Sequence, residues 1–367
     1  MIINSMDVGG AESCLESLSY SLDPLIEVEI ISLSGSGKVA NRMKERGYQV
    51  HELNFEKTFL FVNEIFKLFM LIKKIKPDVV HTWMYHSNLL GGFAAKILGV
   101  KKIIWSIHAF NIKKGMLRLR TKFLVHILAF FSYFIPQKII FCSQSSLLIH
   151  KDILYSKKKS IFIPNGINSK NFFYSEDFRT NLRTELGFTD NEILVGCIGR
   201  FDIQKNQIGF LDIISRVTVN HPNYHFLYVG KGNDINNTKL VSSIQAKNLE
   251  SKVHLLGERD DINKILSAID IFTLPSRGEA FPISLCEAML CEVPCIATNV
   301  GDVDFIIGGI TATINLSSFD LFYNSIIDIG EQSKDARKLI GRKLKDRVNK
   351  NFLIEKVAIS HQEIYEN

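Results

Sequence analysis

Short apolar runs alternate with amphipathic helical segments from one end of the 367-residue chain to the other. Residues 193–198 form such a run, and residues 206–217, which follow, place their apolar side chains at helical spacing. This alternation predicts an α/β fold of parallel sheets with helices on both faces. Strands are predicted at residues 2–4, 28–33, 49–53, 79–82, 102–107 and 138–142, and then at 193–198, 225–229, 253–256, 271–274 and 295–298.

The chain is too long for one ordinary hydrophobic core, so two domains are expected. A polar and less periodic stretch separates the two series of strands, and it contains Asn165-Gly166 and a charged run at 175–183. We interpret this stretch as the interdomain linker. The predicted organisation is a first domain at 1–165, a linker at 166–190 and a second domain at 191–352.

Composition narrows the range of partners. The formal net charge is +6, from 44 basic and 38 acidic residues, which suits nucleotide diphosphates or an anionic membrane and is too dilute to indicate nucleic acid. The six cysteines form no CxxC pair, so we expect reduced, buried thiols in a cytoplasmic protein. No apolar run reaches the ~18–20 residues that a membrane span needs.

Glycines and basic residues follow several predicted strands, at the edge where open parallel sheets bind their ligands. Gly9 and Gly10 precede a predicted helix whose free backbone N–H groups can bind a phosphate; the alternative is a plain strand–helix turn. Arg200 and Lys205 flank a later strand–helix loop, where two fixed cations would neutralise a diphosphate without a metal ion. For them the alternative is a solvated basic loop.

The segment 276–289, which contains Glu279 and Glu287, is the strongest local indication of a binding site. Pro282 suits the first position of a helix whose N-terminus would face a phosphate. Glu279 precedes that helix and Glu287 lies little more than one turn inside it, so the two carboxylates can accept hydrogen bonds from different hydroxyls of one polyol. The alternative is a helix cap and a surface glutamate. His108, at the end of an apolar strand, is either structural or positioned to contact a substrate.

In combination, these motifs resemble glycosyltransferase family 4, whose members are retaining enzymes of the GT-B fold, with two Rossmann-like domains facing across a cleft. The resemblance covers nearly the whole chain and includes the glycine loop at 9–12, the linker entry at 163–167, and Arg200 with Lys205. Segments 78–83 and 105–108 are similar to enzymes that build capsule, O-antigen or exopolysaccharide. Glu279 and Glu287 are separated by seven residues, as in the E-x7-E motif of the family. Ala280 departs from the pattern, because many members have glycine there.

The resemblance implies a role for each matching residue. Arg200 and Lys205 hold the donor diphosphate, Glu279 binds donor-sugar hydroxyls, Glu287 binds the ribose, and His108 contacts the donor sugar near the reacting carbon. Backbone N–H groups near Gly10 and Phe281 assist, and the loop from Gly257 to Arg259 lies against the base. The residues thus expected at the donor are Gly9, Gly10, Arg200, Lys205, Gly257, Arg259, Glu279, Ala280, Phe281, Pro282 and Glu287.

The implied function is retaining transfer of a sugar from a nucleotide-sugar, with UDP the expected nucleotide, to a glycan or lipid-linked glycan in surface polysaccharide biosynthesis. The resemblance also implies that the last helix, 353–367, packs on the first domain. Asp302-Val303-Asp304 spells DxD, the metal-binding motif of another glycosyltransferase fold, but short DxD strings are common by chance. No metal ion or other cofactor is therefore expected.

The acceptor side leaves two interpretations open. Basic residues beside the apolar stretch 123–134 would rest on an anionic membrane, at the inner face of the cell membrane, and reach a lipid-linked acceptor. The alternative is an ordinary core helix with a solvated basic lead-in. The basic residues concerned are Lys113, Lys114, Arg118, Arg120 and Lys122.

Rival functions are a sugar-nucleotide epimerase of similar fold and a non-catalytic nucleotide-sugar binding protein. A dinucleotide oxidoreductase is disfavoured, because Gly230-Lys231-Gly232 lacks the third glycine of the GxGxxG motif.

Overall fold

The computed structural model describes residues 1–55, 61–108 and 119–366, and the chain divides into two units. The first unit comprises Met1–Gly166 together with Ile354–Asn367, and the second comprises Ile167–Leu353. Each unit is built on one parallel sheet, as the strand–helix alternation predicts.

The first unit contains a seven-stranded sheet in the order β3-β2-β1-β4-β5-β6-β7. Its strands are β1 (Ile2–Ile3), β2 (Glu29–Ser32), β3 (Gln49–Glu52), β4 (Val79–Trp83), β5 (Lys102–Ile107), β6 (Lys138–Phe141) and β7 (Ser160–Phe162). Its helices up to β7 are α1 (Gly10–Ser21), α2 (Lys38–Glu45), α3 (Phe61–Ile75), α4 (Tyr85–Ile97), α5 (Leu119–Phe131) and α6 (Gln144–Asp152). The strand order reverses between β1 and β4, so right-handed crossovers place helices on both faces.

The second unit contains a six-stranded sheet in the order β10-β9-β8-β11-β12-β13. Its strands are β8 (Ile193–Ile198), β9 (Tyr224–Val229), β10 (Val253–Gly257), β11 (Ile271–Leu274), β12 (Cys295–Thr298) and β13 (Thr313–Ile314). Its helices are α7 (Glu176–Glu185), α8 (Gln207–Asn220), α9 (Thr238–Gln245), α10 (Ile262–Ala268), α11 (Ile283–Leu290), α12 (Val303–Ile307), α13 (Leu321–Gly330) and α14 (Lys334–Asn351). The order reverses between β8 and β11.

Central strands are buried on both faces, which explains why they read as continuous apolar runs. Strand β5 carries Ile103, Ile104 and Trp105, all without exposed surface, and every residue of β8 is buried. Strands β8 and β9 pair in parallel along their whole length, from Ile193 opposite Tyr224 to Ile198 opposite Val229. All six cysteines are buried free thiols, as the sequence predicts.

Helix α15 (Ile354–Glu366) closes the chain and packs against α1 of the first unit. The contact depends on Gly166, because a Cβ atom there would lie 2.5 Å from Ile354 Cδ1 and 2.7 Å from Ile354 Cα. The hydroxyl of Tyr365, near the end of α15, lies 2.8 Å from His81 Nδ1 in β4. The C-terminal helix is thus an integral part of the first unit.

The structure differs from the sequence analysis at residues 166–190, which we interpreted as a linker. This segment contains α7, which packs against α10 of the second unit. The reason is a buried ionic network: Arg179 and Arg183 of α7 both donate to Asp270, at 2.9 and 3.1 Å, and all three side chains are almost completely buried. The charged run that we interpreted as linker therefore forms a helix of the second unit, with Arg179 and Arg183 in the interior.

Candidate active site

Two loops of the second unit meet where the strand order reverses, the position at which open α/β sheets bind ligands. One loop follows β8 and the other follows β11, which is the neighbour of β8 in the sheet. The loops are joined by hydrogen bonds from Arg277 N to Gln204 O at 2.6 Å and from Asn206 Nδ2 to Pro275 O at 3.2 Å. The fold therefore brings together two candidate segments that lie about 70 residues apart in sequence.

Lys205 and Glu279 form an ion pair in these loops, with 2.7 Å between Lys205 Nζ and Glu279 Oε1. The Ser276 hydroxyl donates to the same carboxylate oxygen at 2.6 Å, and the Lys205 stem lies beside Gly199. An ammonium group has three N–H donors, so Lys205 keeps donors for phosphate oxygens while it contacts Glu279. No described residue hydrogen-bonds Oε2 of Glu279, so this oxygen can accept from a ligand hydroxyl. Both charges were predicted from the sequence, whereas the role of Ser276 follows from its contact with Glu279.

Arg200 lies on the same loop as Lys205 and is much more exposed. Its side chain is 65% exposed, and its Nε atom is 3.4 Å from a carboxylate oxygen of Asp202. The loop thus contains two cationic side chains, Lys205 close to Glu279 and Arg200 largely exposed to solvent. Both are available to contact a polyanion such as a diphosphate.

The backbone that carries Glu279 rests on the loop after β12. Gly301 has φ +60°, and a Cβ atom there would overlap the Glu279 carbonyl oxygen, so this close approach requires glycine. The next residue, Asp302, donates its N–H to Ala280 O at 3.1 Å. Ala280 itself has a negative φ, so alanine fits where many family members have glycine. This role of Gly301 was not predicted from the sequence.

Helix α11 begins one residue later than the proline signal predicts, because Pro282 is its N-cap residue and Ile283 its first residue. Phe281 is buried and contacts Phe352 edge-on, with 5.4 Å between ring centroids, which anchors the start of the helix. The structure thus places Ala280, Phe281 and Pro282 between Glu279 and the helix N-terminus.

Glu287 lies inside α11, and burial raises the pKa of its carboxyl to about 7. The unfolded chain ionises this carboxyl near its ordinary value of 4.5, so the folded unit loses stability as pH rises from that value through about 7. A ligand hydroxyl that donates to the carboxylate would offset this cost. The contact of Glu287 with a ribose hydroxyl stays a prediction.

The predicted base-binding loop places Arg259 among carboxylates. Its guanidinium donates to both Asp261 oxygens at 2.7 Å and to Glu185 of α7 at 3.4 Å. Gly257 has φ +66°, and its carbonyl accepts from Gly230 N at 2.7 Å, which ties this loop to the end of β9. The contact of Gly257 and Arg259 with a base stays a prediction.

In the first unit, Gly9 and Gly10 form the start of α1, with Gly9 as its N-cap. The side chain of Glu12 lies over Gly9, so an acidic group already occupies part of the helix N-terminus. Any phosphate at this terminus would have to displace or avoid that carboxylate. The phosphate role of the glycine pair stays a prediction.

His108 is held by aromatic stacking and by Asn165. Its ring lies 4.7 Å from the Trp83 ring at an interplanar angle of 16°, and burial lowers its pKa to about 4, against the opposing effect of the Asn165 hydrogen bond. The imidazole is thus neutral near pH 7, which favours a hydrogen-bonding role over a cationic one. Its buried Nδ1 has no partner among the described residues, and it lines a cavity with room for about one water molecule.

The DxD aspartates occupy ordinary structural positions. Asp302 is the N-cap residue of α12 and is buried, and Asp304 accepts a hydrogen bond from the Thr313 hydroxyl at 2.9 Å. That the protein works without a metal ion stays a prediction.

Helix α5 begins at Leu119, and its basic lead-in lies partly outside the described residues. Lys113, Lys114 and Arg118 fall in the segment that the structure does not describe, whereas Arg120 and Lys122 lie in the first turn of the helix. Along the described ranges, no helix is both long and apolar enough to span a bilayer.

Two family models match the chain, one in each half. Residues 8–171 match the model described as Glycosyltransferase Family 4, and residues 192–329 match the model described as Glycosyl transferases group 1.

Similar proteins include two bacterial enzymes that act on lipid-linked sugars. The UDP-Gal:alpha-D-GlcNAc-diphosphoundecaprenol alpha-1,3-galactosyltransferase of Escherichia coli is 26% identical over 311 residues, which are 83% of this chain and 79% of that enzyme. The N,N'-diacetylbacillosaminyl-diphospho-undecaprenol alpha-1,3-N-acetylgalactosaminyltransferase of Campylobacter jejuni is 26% identical over 281 residues, 74% of this chain and 73% of that enzyme.

Among solved structures, Anabaena Alr3699/HepE in complex with UDP and glucose matches with a TM-score of 0.87 at 18% identity, over 100% of this chain and 99% of that one. WaaG, a glycosyltransferase involved in lipopolysaccharide biosynthesis, matches with a TM-score of 0.69 at 15% identity, over 98% of each chain. These matches confirm the predicted GT-B fold.

Proposed function

Because this chain belongs to the family 4 glycosyltransferases, we propose that it moves a sugar from a UDP-sugar to a lipid-linked glycan, with retention of anomeric configuration and without a metal ion. UDP is bound in the HepE structure, and the names of the E. coli and C. jejuni enzymes specify sugar acceptors on a diphosphate-linked undecaprenol. The product would be an intermediate of surface polysaccharide biosynthesis.

The observation that carries this proposal is the Lys205–Glu279 pair at the strand-order reversal of the second unit. A nucleotide-sugar presents a diphosphate next to a polyol, and here a cation lies 2.7 Å from a carboxylate. Lys205 and Arg200 would donate to the diphosphate, and Glu279 would accept from sugar hydroxyls. Glu287 would accept from the ribose.

The proposed chemistry is a front-face substitution. The bond from the anomeric carbon to the phosphate oxygen loosens first, and its electron pair stays on the diphosphate. The acceptor hydroxyl then bonds to the same face of the anomeric carbon and passes its proton to the departing phosphate oxygen. The role of Lys205 and Arg200 is to stabilise the charge that grows on the diphosphate. The anomeric configuration of the product, measured by NMR, tests retention.

A panel of nucleotide-sugars measured by thermal shift in EDTA tests the donor assignment. We expect UDP-sugars to raise the Tm, because a ligand at 100 times its Kd stabilises the folded state by about 2.7 kcal/mol. A shift with GDP-sugars alone would overturn the choice of UDP. A panel that leaves the Tm unchanged throughout would contradict donor binding itself.

Donor affinity is expected to increase with pH. Glu287 has a pKa of about 7 and would accept hydrogen bonds best as the carboxylate. From pH 6 to pH 8 the Kd of a UDP-sugar should therefore fall by up to about tenfold. Calorimetric titration of the wild type and of Glu287→Gln measures this, since the amide does not titrate and its Kd should stay flat. A pH profile shared by both proteins would contradict the role of Glu287.

We also propose that the first unit rests on an anionic membrane through the outer faces of α3, α4 and α5. These helices pack side by side and expose large apolar side chains, namely Val62, Phe66, Met70, Phe93, Ile97, Leu119, Phe123 and Phe130. In these three fully described helices the one acidic residue, Glu64, is buried and paired with Lys67. An exposed apolar surface with basic residues and no free carboxylate fits a membrane interface, which would hold the enzyme near a lipid-linked acceptor.

A further inference from the structure

A groove of about 450 Å³ lies in the first unit, beside the end of α5. Its lining residues are Tyr133, Leu154, Tyr155, Ser156, Lys157, Lys158 and Lys159. Lys159 immediately precedes β7, so the groove lies at the amino-terminal end of that strand. His108 and the N-terminus of α1, which are candidate site residues of the first unit, follow the carboxyl-terminal ends of their strands, so the groove lies at the opposite edge of this sheet.

The polar part of the groove is strongly basic. Three consecutive lysines line it, and no carboxylate is among its lining residues; the nearest acidic residue in sequence, Asp152, is not one of them. Lys159 Nζ donates to Tyr133 O at 2.6 Å, and the pKa of Lys159 is lowered by burial and by the charge of Lys96. A concentration of positive charge that the groove itself does not neutralise favours an anionic ligand.

The apolar part of the groove consists of large side chains that are exposed to solvent. Leu154 is 71% exposed and has φ +72°, a left-handed conformation that a bulky residue rarely adopts. The rings of Tyr133 and Phe134 are also exposed, and Phe134 lies 5.3 Å from Phe130 of α5. The apolar rim is therefore continuous with the α5 part of the surface proposed to contact the membrane.

The turn that carries the lysines is fixed to its surroundings. Ser156 N donates to the Ser132 hydroxyl at 2.9 Å, at the end of α5, and the Ser160 hydroxyl donates to Ser156 O at 2.8 Å. The buried ring of Tyr155 packs against Phe141 and His150. The groove is thus a preformed feature of the fold, which limits the entropy lost on binding.

We propose that this groove binds the phosphate headgroup of an anionic lipid within a bilayer, with Lys157 and Lys158 at the phosphate and Tyr133 and Leu154 among the upper acyl chains. The proposal rests on the membrane contact proposed above for the same unit. It assigns to that contact a specific headgroup site, at the amino-terminal end of β7 in the first unit.

Vesicle sedimentation with the full chain tests the site. Vesicles of phosphatidylcholine with 30% phosphatidylglycerol are compared with pure phosphatidylcholine at low salt, for the wild type and for the double variant Lys157→Glu/Lys158→Glu. The variant should bind anionic vesicles at least about 10-fold more weakly, because each lysine near an anionic surface contributes about fivefold in affinity. A double variant with the same change in net charge on the second unit, Lys239→Glu/Lys343→Glu, should bind as the wild type does.

A second variant, Leu154→Gly, separates the site from a folding effect. Glycine adopts φ +72° without strain, so the variant should keep or raise the Tm while it binds anionic vesicles several-fold more weakly. A lowered Tm together with unchanged vesicle binding would overturn the assignment of Leu154.

The other outcomes are distinguishable. Wild-type protein that binds no vesicles would contradict the membrane contact as a whole. If Lys157→Glu/Lys158→Glu and its control variant weaken vesicle binding equally, the membrane contact is supported. The assignment of the groove as the headgroup site is then wrong. If inorganic phosphate raises the Tm of the wild type alone and vesicles do not bind, the groove is a free-phosphate site and the lipid assignment is wrong. None of these results depends on donor or acceptor, so sugar transfer is tested separately.

Discussion

Replacing Lys205 with alanine should lower kcat by about 100-fold, equivalent to roughly 3 kcal/mol of lost transition-state stabilisation. Lys205 is the cation that the loops fix in place, 2.7 Å from Glu279 and beside Gly199. Its contribution should grow as the bond to the diphosphate breaks, because negative charge then accumulates on the phosphate oxygens. We therefore expect kcat to fall more than donor affinity.

The matched control is Lys239→Ala, which removes an exposed lysine from α9 of the same unit. It changes the net charge equally and should leave kcat near that of the wild type. Steady-state transfer assays of the three proteins, with Tm values to establish folding, measure the difference. A Lys205→Ala enzyme with kcat within about twofold of the wild type would show that the diphosphate is stabilised elsewhere.

Replacing Asp270 with alanine should destabilise the second unit by about 3–5 kcal/mol. Asp270 accepts hydrogen bonds from Arg179 and Arg183 of α7 and, through Oδ2, from Leu194 N at 2.9 Å. Both guanidinium groups are buried, so the substitution removes their buried counterion and leaves the largely exposed Asp190 to pair with them. Helix α7 would lose its ion pairs with Asp270, the residue that precedes β11.

Chemical denaturation of Asp270→Ala and Asp212→Ala tests this prediction. Asp212 forms an exposed ion pair with Lys247, so its loss should cost no more than about 1 kcal/mol. Equal stabilities of the two variants would mean that the buried network contributes little. A large loss in Asp270→Ala alone would establish that residues 166–190 fold as part of the second unit.

The central strands could be predicted from sequence with their observed bounds, as at Lys102–Ile107, Ile193–Ile198 and Cys295–Thr298. They are buried on both faces, so apolar residues make up most of each strand. The short edge strands β7 and β13 were not predicted, because two or three residues are too few to form such a run. Helix α7 was missed for a different reason: its polar residues pair with buried partners that are distant in sequence.

The individual residues of the candidate site could be predicted from the sequence, but the contacts between them could not. Sequence placed Lys205 and Glu279 after two strands, but their 2.7 Å contact depends on β8 and β11 being neighbours, which the strand order decides. Ser276 and Gly301 carried no motif of their own, and their roles follow from contacts with Glu279. Arg259 was predicted at the base, which stays a prediction, and the contacts of its guanidinium with Asp261 and Glu185 could not be read from the sequence.

The most direct test of the account is the rate at which nucleoside diphosphate is released from a UDP-sugar in EDTA, with a diphosphate-linked polyprenyl sugar as acceptor. We predict release that requires the acceptor, that equals the rate with added Mg²⁺, and that Lys205→Ala reduces by about 100-fold. Release that stops in EDTA would contradict metal-independent transfer. Donor consumption at the same rate without any acceptor would contradict transfer itself and favour an epimerase.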